Sequence, residues 1–117
     1  MAESINIEGL LSLSDGDKEF VKEILVLFRE QVPLELKNLK DLMQKEDREG
    51  LSQLLHKLKS FTSPLGLKDL GAEISRLEKV AKTDDLASLQ SELDDLILSM
   101  ENLVERTKYQ LEEIKSE

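Results

Sequence analysis

The chain has no cysteine and no tryptophan, and it has a single histidine among 117 residues. Without cysteine it has no disulfides, thiolate nucleophiles or zinc–cysteine sites, as is typical of proteins in a reducing compartment. No apolar run is long enough to cross a bilayer. The opening residues MAESINIEGL also lack the basic stretch and apolar run of a signal peptide. We therefore expect a cytoplasmic protein that is neither secreted nor bound in a membrane.

Several functional motifs are also missing. The chain has no glycine-rich phosphate loop to hold ATP, no nucleophile elbow, and no second histidine for a catalytic triad. A metal bound by one histidine would need several converging carboxylates, and only Glu49 is well placed on the same predicted helix. We therefore expect no bound metal or cofactor.

Acidic residues outnumber basic ones, 25 to 16, which gives a formal net charge of −9. This charge repels nucleic acids and anionic lipid surfaces. The basic residues are scattered along the sequence and are not gathered into a stripe with aromatic residues. The sequence thus predicts no binding to nucleic acid or membranes.

What the chain does contain is a balance typical of amphipathic helices, with 39% hydrophobic and 35% charged residues. The length suits one domain, residues 1–117. Asn6 is the predicted cap of a short first helix, and a long second helix starts at Lys18, with a kink expected near residues 30–32 because of Pro33. Its predicted inner face contains Phe20, Ile24, Leu27, Phe28, Leu34, Leu39, Leu42 and Met43.

The third predicted helix is capped by Asp47 and ends at Gly66, and Pro64 should bend it near its end. Its predicted inner residues are Leu51, Leu54, Leu55, Leu58, Phe61 and Leu65. The fourth runs from about Lys68 to Lys82 and turns Leu70, Ile74, Leu77 and Ala81 inward. The last is capped by Thr83 or Asp84 and has its stripe at Leu86, Leu89, Leu93, Leu96, Met100, Leu103, Tyr109, Leu111 and Ile114.

These patterns predict an all-α protein, an antiparallel four-helix bundle with a short extra N-terminal helix. No segment has the alternating pattern of a strand. The acidic last helix could support self-association, but packing within one bundle accounts for its apolar stripe, so we expect a monomer.

The single histidine, His56, points away from the apolar side of its predicted helix. Its neighbours on that outer face are Ser52, Lys59, Ser60 and Ser63. Small serines would leave the imidazole open to a large partner, and Lys59 would bring a cation to an anion carried there. A neutral imidazole attacks phosphorus near neutral pH. An exposed histidine on an amphipathic helix is also commonly an ordinary surface residue, and both interpretations remain open on geometry alone.

The segment HKLKSFTSPLGLKDLGAEISRLE, residues 56–78, resembles the signature of histidine phosphotransfer (HPt) domains. In that signature the phosphorylated histidine is followed by an apolar residue and lysine, small residues, a glycine and a Leu-Glu pair. The matching positions are His56, Leu58, Lys59, Gly66, Leu77 and Glu78. The order of helices, with a proline inside the long second one, resembles the family over nearly the whole chain.

This resemblance implies that His56 accepts a phosphoryl group from one receiver-domain aspartate and passes it to another. Lys59 would neutralise the phosphoryl charge, and Glu78 would hydrogen-bond the other ring nitrogen; an ion pair with Lys82 is the alternative role for Glu78. Receiver domains and a hybrid sensor kinase would be the partners, docking over Ser52, Ser60 and Ser63. The Mg²⁺ of such reactions belongs, in the family, to the receiver.

Three alternative functions compete with this one, and the sequence disfavours the first. A sensor-kinase dimerisation domain typically has an acidic residue after its histidine and a proline soon after, whereas here Lys57 follows His56 and Pro64 comes later. The N-terminal phosphotransfer domain of a chemotaxis-type kinase is a close variant. The third is a helical adaptor that binds a receiver domain without being phosphorylated.

Overall fold

The computed structural model describes residues 3–83 and 85–116, and within these ranges it contains helices and no strand. The helices are α1 (Ile7–Leu13), α2 (Lys18–Gln44), α3 (Arg48–Thr62), α4 (Lys68–Thr83) and α5 (Leu86–Ser116), with a 3-10 turn at Ser63–Leu65. The predicted all-α fold is confirmed.

Side-chain caps fix the starts of the first three helices. Asn6, Asp17 and Asp47 each accept a hydrogen bond from the backbone N–H three residues later, at 3.1, 3.0 and 2.9 Å respectively. Each bond satisfies a donor that has no partner inside the helix. The caps predicted at Asn6 and Asp47 are thus confirmed.

Of the two caps predicted for the last helix, Thr83 is wrong. Thr83 is the final residue of α4, and Asp84 lies outside the described residues. The carboxylate of Asp85 instead accepts from the N–H of Ala87 at 3.2 Å. The connection is so short that the residue directly before α5 is the one in reach of its first free N–H groups.

The predicted continuation of the second helix past Pro33 is confirmed, the kink near residues 30–32 stays a prediction, and the predicted bend of the third helix at Pro64 is wrong. α2 runs without a break through Pro33. α3 ends at Thr62, so Pro64 lies in the 3-10 turn beyond it and leaves the helix of His56 intact. Gly66 closes this turn in the left-handed conformation, at φ 69°, which a residue without Cβ adopts at little cost.

The four long helices form a ring in which α3 and α4 pack together, α2 packs on α3 and α5, and α4 also contacts α5. Short connections make successive helices antiparallel, and α1 packs against α2. The molecule measures 48 × 24 × 21 Å. Its long axis follows α5, whose 31 residues span about 46 Å at 1.5 Å each. α3 and α4 are about half that length.

The predicted inner face of α2 is partly wrong. Phe20, Leu27 and Leu34 are 49%, 50% and 59% exposed. The buried face is instead made by Val21, Leu25, Phe28, Val32, Glu35, Leu36 and Leu39. α2 has two apolar stripes side by side, and only the one facing α3 and α5 together is covered. Periodicity alone does not distinguish two adjacent stripes.

Tyr109 was also expected on the inner stripe of α5, and it is 58% exposed. Thr107, fully buried, takes an inner position on this turn, and its hydroxyl donates to the Val104 carbonyl. Because the threonine satisfies its polar atom within its own helix, it can replace an apolar residue in the core.

The N-terminal strap, residues 3–6, ties α4 to α5. Both Glu3 carboxylate oxygens accept from α4, one from the N–H of Asp69 at 3.1 Å and the other from Leu70 at 2.9 Å. Ile5 is buried in the core, and its carbonyl accepts from Gln110 Nε2 of α5 at 3.0 Å. Since Leu67 precedes α4 and has no polar side chain, Glu3 supplies that helix with its cap from a distant part of the sequence.

We predict that Glu3→Ala lowers the free energy of unfolding by about 1 kcal/mol, the usual loss for an N-cap. Glu3→Gln keeps one acceptor oxygen and should lose less. Urea unfolding followed by circular dichroism measures both, with Glu23→Ala, an exposed carboxylate on α2, as the control. Equal stability of Glu3→Ala and Glu23→Ala would mean that the strap does not cap α4.

Candidate functional site

The candidate site centres on His56, which the packing of α3 turns outward. Leu51, Leu55 and Leu58 are fully buried between the neighbouring helices. At 100° per residue, this buried face leaves His56 on the far side of α3, and its side chain is 74% exposed. The predicted outward direction of the imidazole is therefore confirmed.

Glu78 of α4 lies beside this imidazole. Its Oε1 is 3.0 Å from His56 Nδ1, and its side chain is only 22% exposed. An ionised carboxylate only accepts hydrogen bonds, so this contact favours the tautomer in which Nδ1 carries the proton and Nε2 keeps its lone pair. Nε2 then stands toward solvent as a free nucleophile.

The alternative partner suggested for Glu78 was Lys82, one turn later on α4. No ion pair joins them among the residues that the structure describes, where the Glu78 carboxylate instead meets His56. The helix-to-helix contact is possible because Leu77 on the adjacent position is buried, which holds α4 close to α3.

Ser52 was predicted to lie on the exposed surface around His56, and this is wrong. It is only 3% exposed, and its hydroxyl donates to the backbone carbonyl of Glu78 at 3.2 Å. Ser52 lies one turn before His56 on the flank that α4 covers, so a residue that looks outward on an isolated helix is enclosed by its neighbour. It holds α4 against α3 directly beneath the site.

The other predicted neighbours of His56 are exposed. Ser60 and Ser63 lie on the outer surface of α3 and the following turn, and the Ser60 hydroxyl donates to the Lys57 carbonyl at 2.6 Å. Lys59 is also exposed, and it borders a shallow groove between α3 and α4 that continues past Ser63. The structure thus brings one cation and two small residues to the surface that carries the imidazole.

Sequence reasoning missed Glu35, an acidic residue of α2 that is only 8% exposed. Its Oε2 lies 3.3 Å from Nζ of Lys57, the residue after His56. The pair compensates a carboxylate that would be costly to bury alone. It also holds the Lys57 ammonium on the α2 side of the site. The available signal was that Glu35 falls between Val32 and Leu36, within the arc of α2 that is buried.

A second carboxylate–cation group joins α4 to α5 away from the imidazole. Arg76 donates to Glu73 at 2.7 Å and to Glu92 of α5 at 2.5 Å. The hydrogen bond from Arg76 lowers the pKa of the Glu73 carboxyl, and both carboxylates raise the pKa of the guanidinium. These side chains are 43–46% exposed, so solvent screens the group and its contribution to stability is small.

Two further features bear on what the chain can bind. Within residues 3–83 and 85–116, no three histidine, aspartate or glutamate side chains converge in a way that suits a metal ion. No helix in the same ranges is both long and apolar enough to cross a membrane.

Comparison with known proteins agrees with the geometry. The family profile of the Hpt domain matches residues 23–114, more than three quarters of the chain, including α3, α4 and both His56 and Glu78. Searches of curated proteins and of solved structures gave no significant match. An outward imidazole held by a carboxylate of the next helix thus lies within the matched region, and the chain belongs to the Hpt domain family, whose members act in histidine phosphotransfer in phosphorelays.

Proposed function

We propose that this chain is a phosphoryl carrier that accepts the group on His56 Nε2 from one receiver-domain aspartate and passes it to another. The observation that carries the proposal is the 3.0 Å contact between His56 Nδ1 and Glu78 Oε1. In the neutral imidazole, this contact keeps the proton on Nδ1 and leaves the reactive lone pair on the exposed Nε2. The 74% exposure of the side chain leaves room for the second protein that such a transfer needs.

The transfer step conserves atoms and charge without an added reagent. The Nε2 lone pair attacks the phosphorus of an aspartyl phosphate, the N–P bond forms, and the P–O bond to aspartate breaks to leave a carboxylate. The Nδ1 proton stays in its hydrogen bond with Glu78, and the anionic carboxylate stabilises the positive charge that the ring acquires. The reverse step transfers the group to the next aspartate.

Lys59 is the cation proposed to offset the phosphoryl charge. It lies one turn after His56 and, unlike Lys57, has no ion pair among the described residues. Its flexible stem can therefore bring the ammonium to an anion on Nε2. The Mg²⁺ that assists such reactions would be bound by the receiver domain, so this chain would need no cofactor of its own.

The proposed partners are receiver domains and a hybrid sensor kinase, docking across Ser60 and Ser63. These exposed small residues leave the approach to His56 open. We propose the role of a carrier in a cytoplasmic phosphorelay, without ATP binding or turnover of its own. The alternatives are an adaptor that is not phosphorylated and the phosphotransfer domain of a chemotaxis-type kinase.

The direct test is the intact mass of the protein after incubation with phosphoramidate, measured before and after brief acid treatment. We expect one added phosphate that acid removes, as is characteristic of phosphohistidine, and no addition to His56→Gln. A folded chain that takes up no phosphate would favour the adaptor. Acid-stable phosphate, or phosphate retained in His56→Gln, would place the modification on another residue.

A second prediction concerns docking. Ser60→Trp places a large ring one turn after the imidazole on an exposed position, so the core should be unaffected while a receiver domain is kept at a distance. Transfer from a phosphorylated receiver should fall at least about tenfold, the loss expected from a misplaced reacting group. Phosphorylation by the small donor phosphoramidate should change much less. The control is Ser99→Trp on α5, and normal transfer to Ser60→Trp would remove this surface from the docking site.

A further inference from the structure

Charge is divided very unevenly between the α3–α4 pair and the rest of the chain. Residues 48–83, which form α3, the 3-10 turn and α4, contain seven lysines and arginines and four acidic residues, a net charge of +3. The rest of the chain contains nine basic and 21 acidic residues, a net charge of −12. The helix pair that presents His56 is therefore the positive part of a strongly acidic protein.

Ion pairs leave much of this positive charge unneutralised. All seven basic residues of the pair are exposed. Lys57 is paired with Glu35 of α2, and Arg76 with Glu92 of α5. Among the described residues, no ion pair engages Lys59, Lys68, Lys79 or Lys82. Two of the four acidic residues of α3 and α4 already have partners, since Glu73 bonds to Arg76 and Glu78 to His56.

Three of these lysines lie on one stripe of α4. Lys68, Ala72, Ser75, Lys79 and Lys82 follow one another at intervals of four and three residues, which places them on one side of the helix. We call this set the α4 lysine stripe. Its first half forms one wall of the groove that Lys59 and Ser63 border on the other side, and no acidic residue lines this groove. Glu78, which contacts the imidazole, directly precedes Lys79 on α4, so the stripe lies next to His56.

We propose that the α4 lysine stripe is an electrostatic docking surface for an acidic protein face, namely the carboxylate-rich surface of a receiver domain around its acceptor aspartate. This inference rests on the proposed function and adds the side of His56 from which the partner approaches. α5, with seven acidic and three basic residues, repels such a partner, and the stripe attracts it. Fields of this kind orient partners before contact and raise association rates, with an effect that salt screens.

The experiment uses the full chain and an isolated receiver domain, loaded by acetyl phosphate, that transfers its phosphoryl group to the unaltered chain. Initial transfer rates are measured at receiver concentrations far below saturation, at low and high salt. Lys68→Glu and Lys79→Glu reverse charges on the stripe. Lys108→Glu, an exposed lysine of α5, makes the same change in net charge on the acidic side. Thermal unfolding confirms that each variant is folded.

We expect the wild-type rate to fall as salt increases, and each stripe variant to be about fivefold slower than wild type at low salt, with the difference shrinking at high salt. Lys108→Glu should stay near the wild-type rate. Equal effects of Lys108→Glu and the stripe variants would mean that only net charge matters, and the inference would be wrong. If the transfer rate does not depend on salt and Leu34→Ser lowers it, docking takes place on the apolar side of α2 and the inference is wrong.

These outcomes separate the inference from the function on which it rests. If the wild-type chain is phosphorylated and the stripe variants are phosphorylated at the same rate, the docking surface is contradicted and the proposed function is not. A panel of receiver domains that all fail to phosphorylate the folded wild-type chain contradicts the proposed function, and the docking surface with it.

Discussion

The packing of α3 between α2 and α4 is the constraint on which the rest of the site depends. Leu51, Leu55 and Leu58 are fully buried, and each contributes roughly 1.5–3 kcal/mol by leaving water. Rotating α3 by one residue would expose these side chains, so their burial fixes the direction of every other residue on the helix. His56 is outward because its leucine neighbours are inward, and the exposed position of the imidazole needs no separate device.

Polar contacts between helices then fix the positions of the side chains around His56. Ser52 donates to the Glu78 backbone and keeps α4 close, the Glu78 side chain reaches the imidazole, and Glu35 holds Lys57 on the opposite flank. Each contact joins two helices, so the arrangement around His56 exists only in the assembled bundle. Ser52 and His56, one turn apart on α3, both contact Glu78, so the packing of α4 on α3 also sets the geometry at the imidazole.

The contrast between local and long-range interactions explains how much the sequence could predict. Caps at Asn6 and Asp47, the helical spacing and the outward direction of His56 are local properties, and they were predicted correctly. Glu78 was placed beside the imidazole by resemblance to a family, because spacing within one helix does not show which residue of another helix will meet it. The burial of Ser52, the exposure of Phe20 and Leu27 on α2, and the capping of α4 by Glu3 all depend on which helix packs where. Single-helix periodicity has no information on those contacts.

The most direct measurement of the central claim is the position of the phosphoryl group on the imidazole. The protein is phosphorylated with phosphoramidate at neutral pH, and ³¹P–¹⁵N couplings in the His56-labelled protein identify the nitrogen that carries phosphorus. Because Glu78 occupies Nδ1, we predict phosphorylation at Nε2, with the Nδ1 proton retained. Phosphorus on Nδ1, or none on His56 in the folded protein, would contradict the assignment of His56 as an acceptor oriented by Glu78.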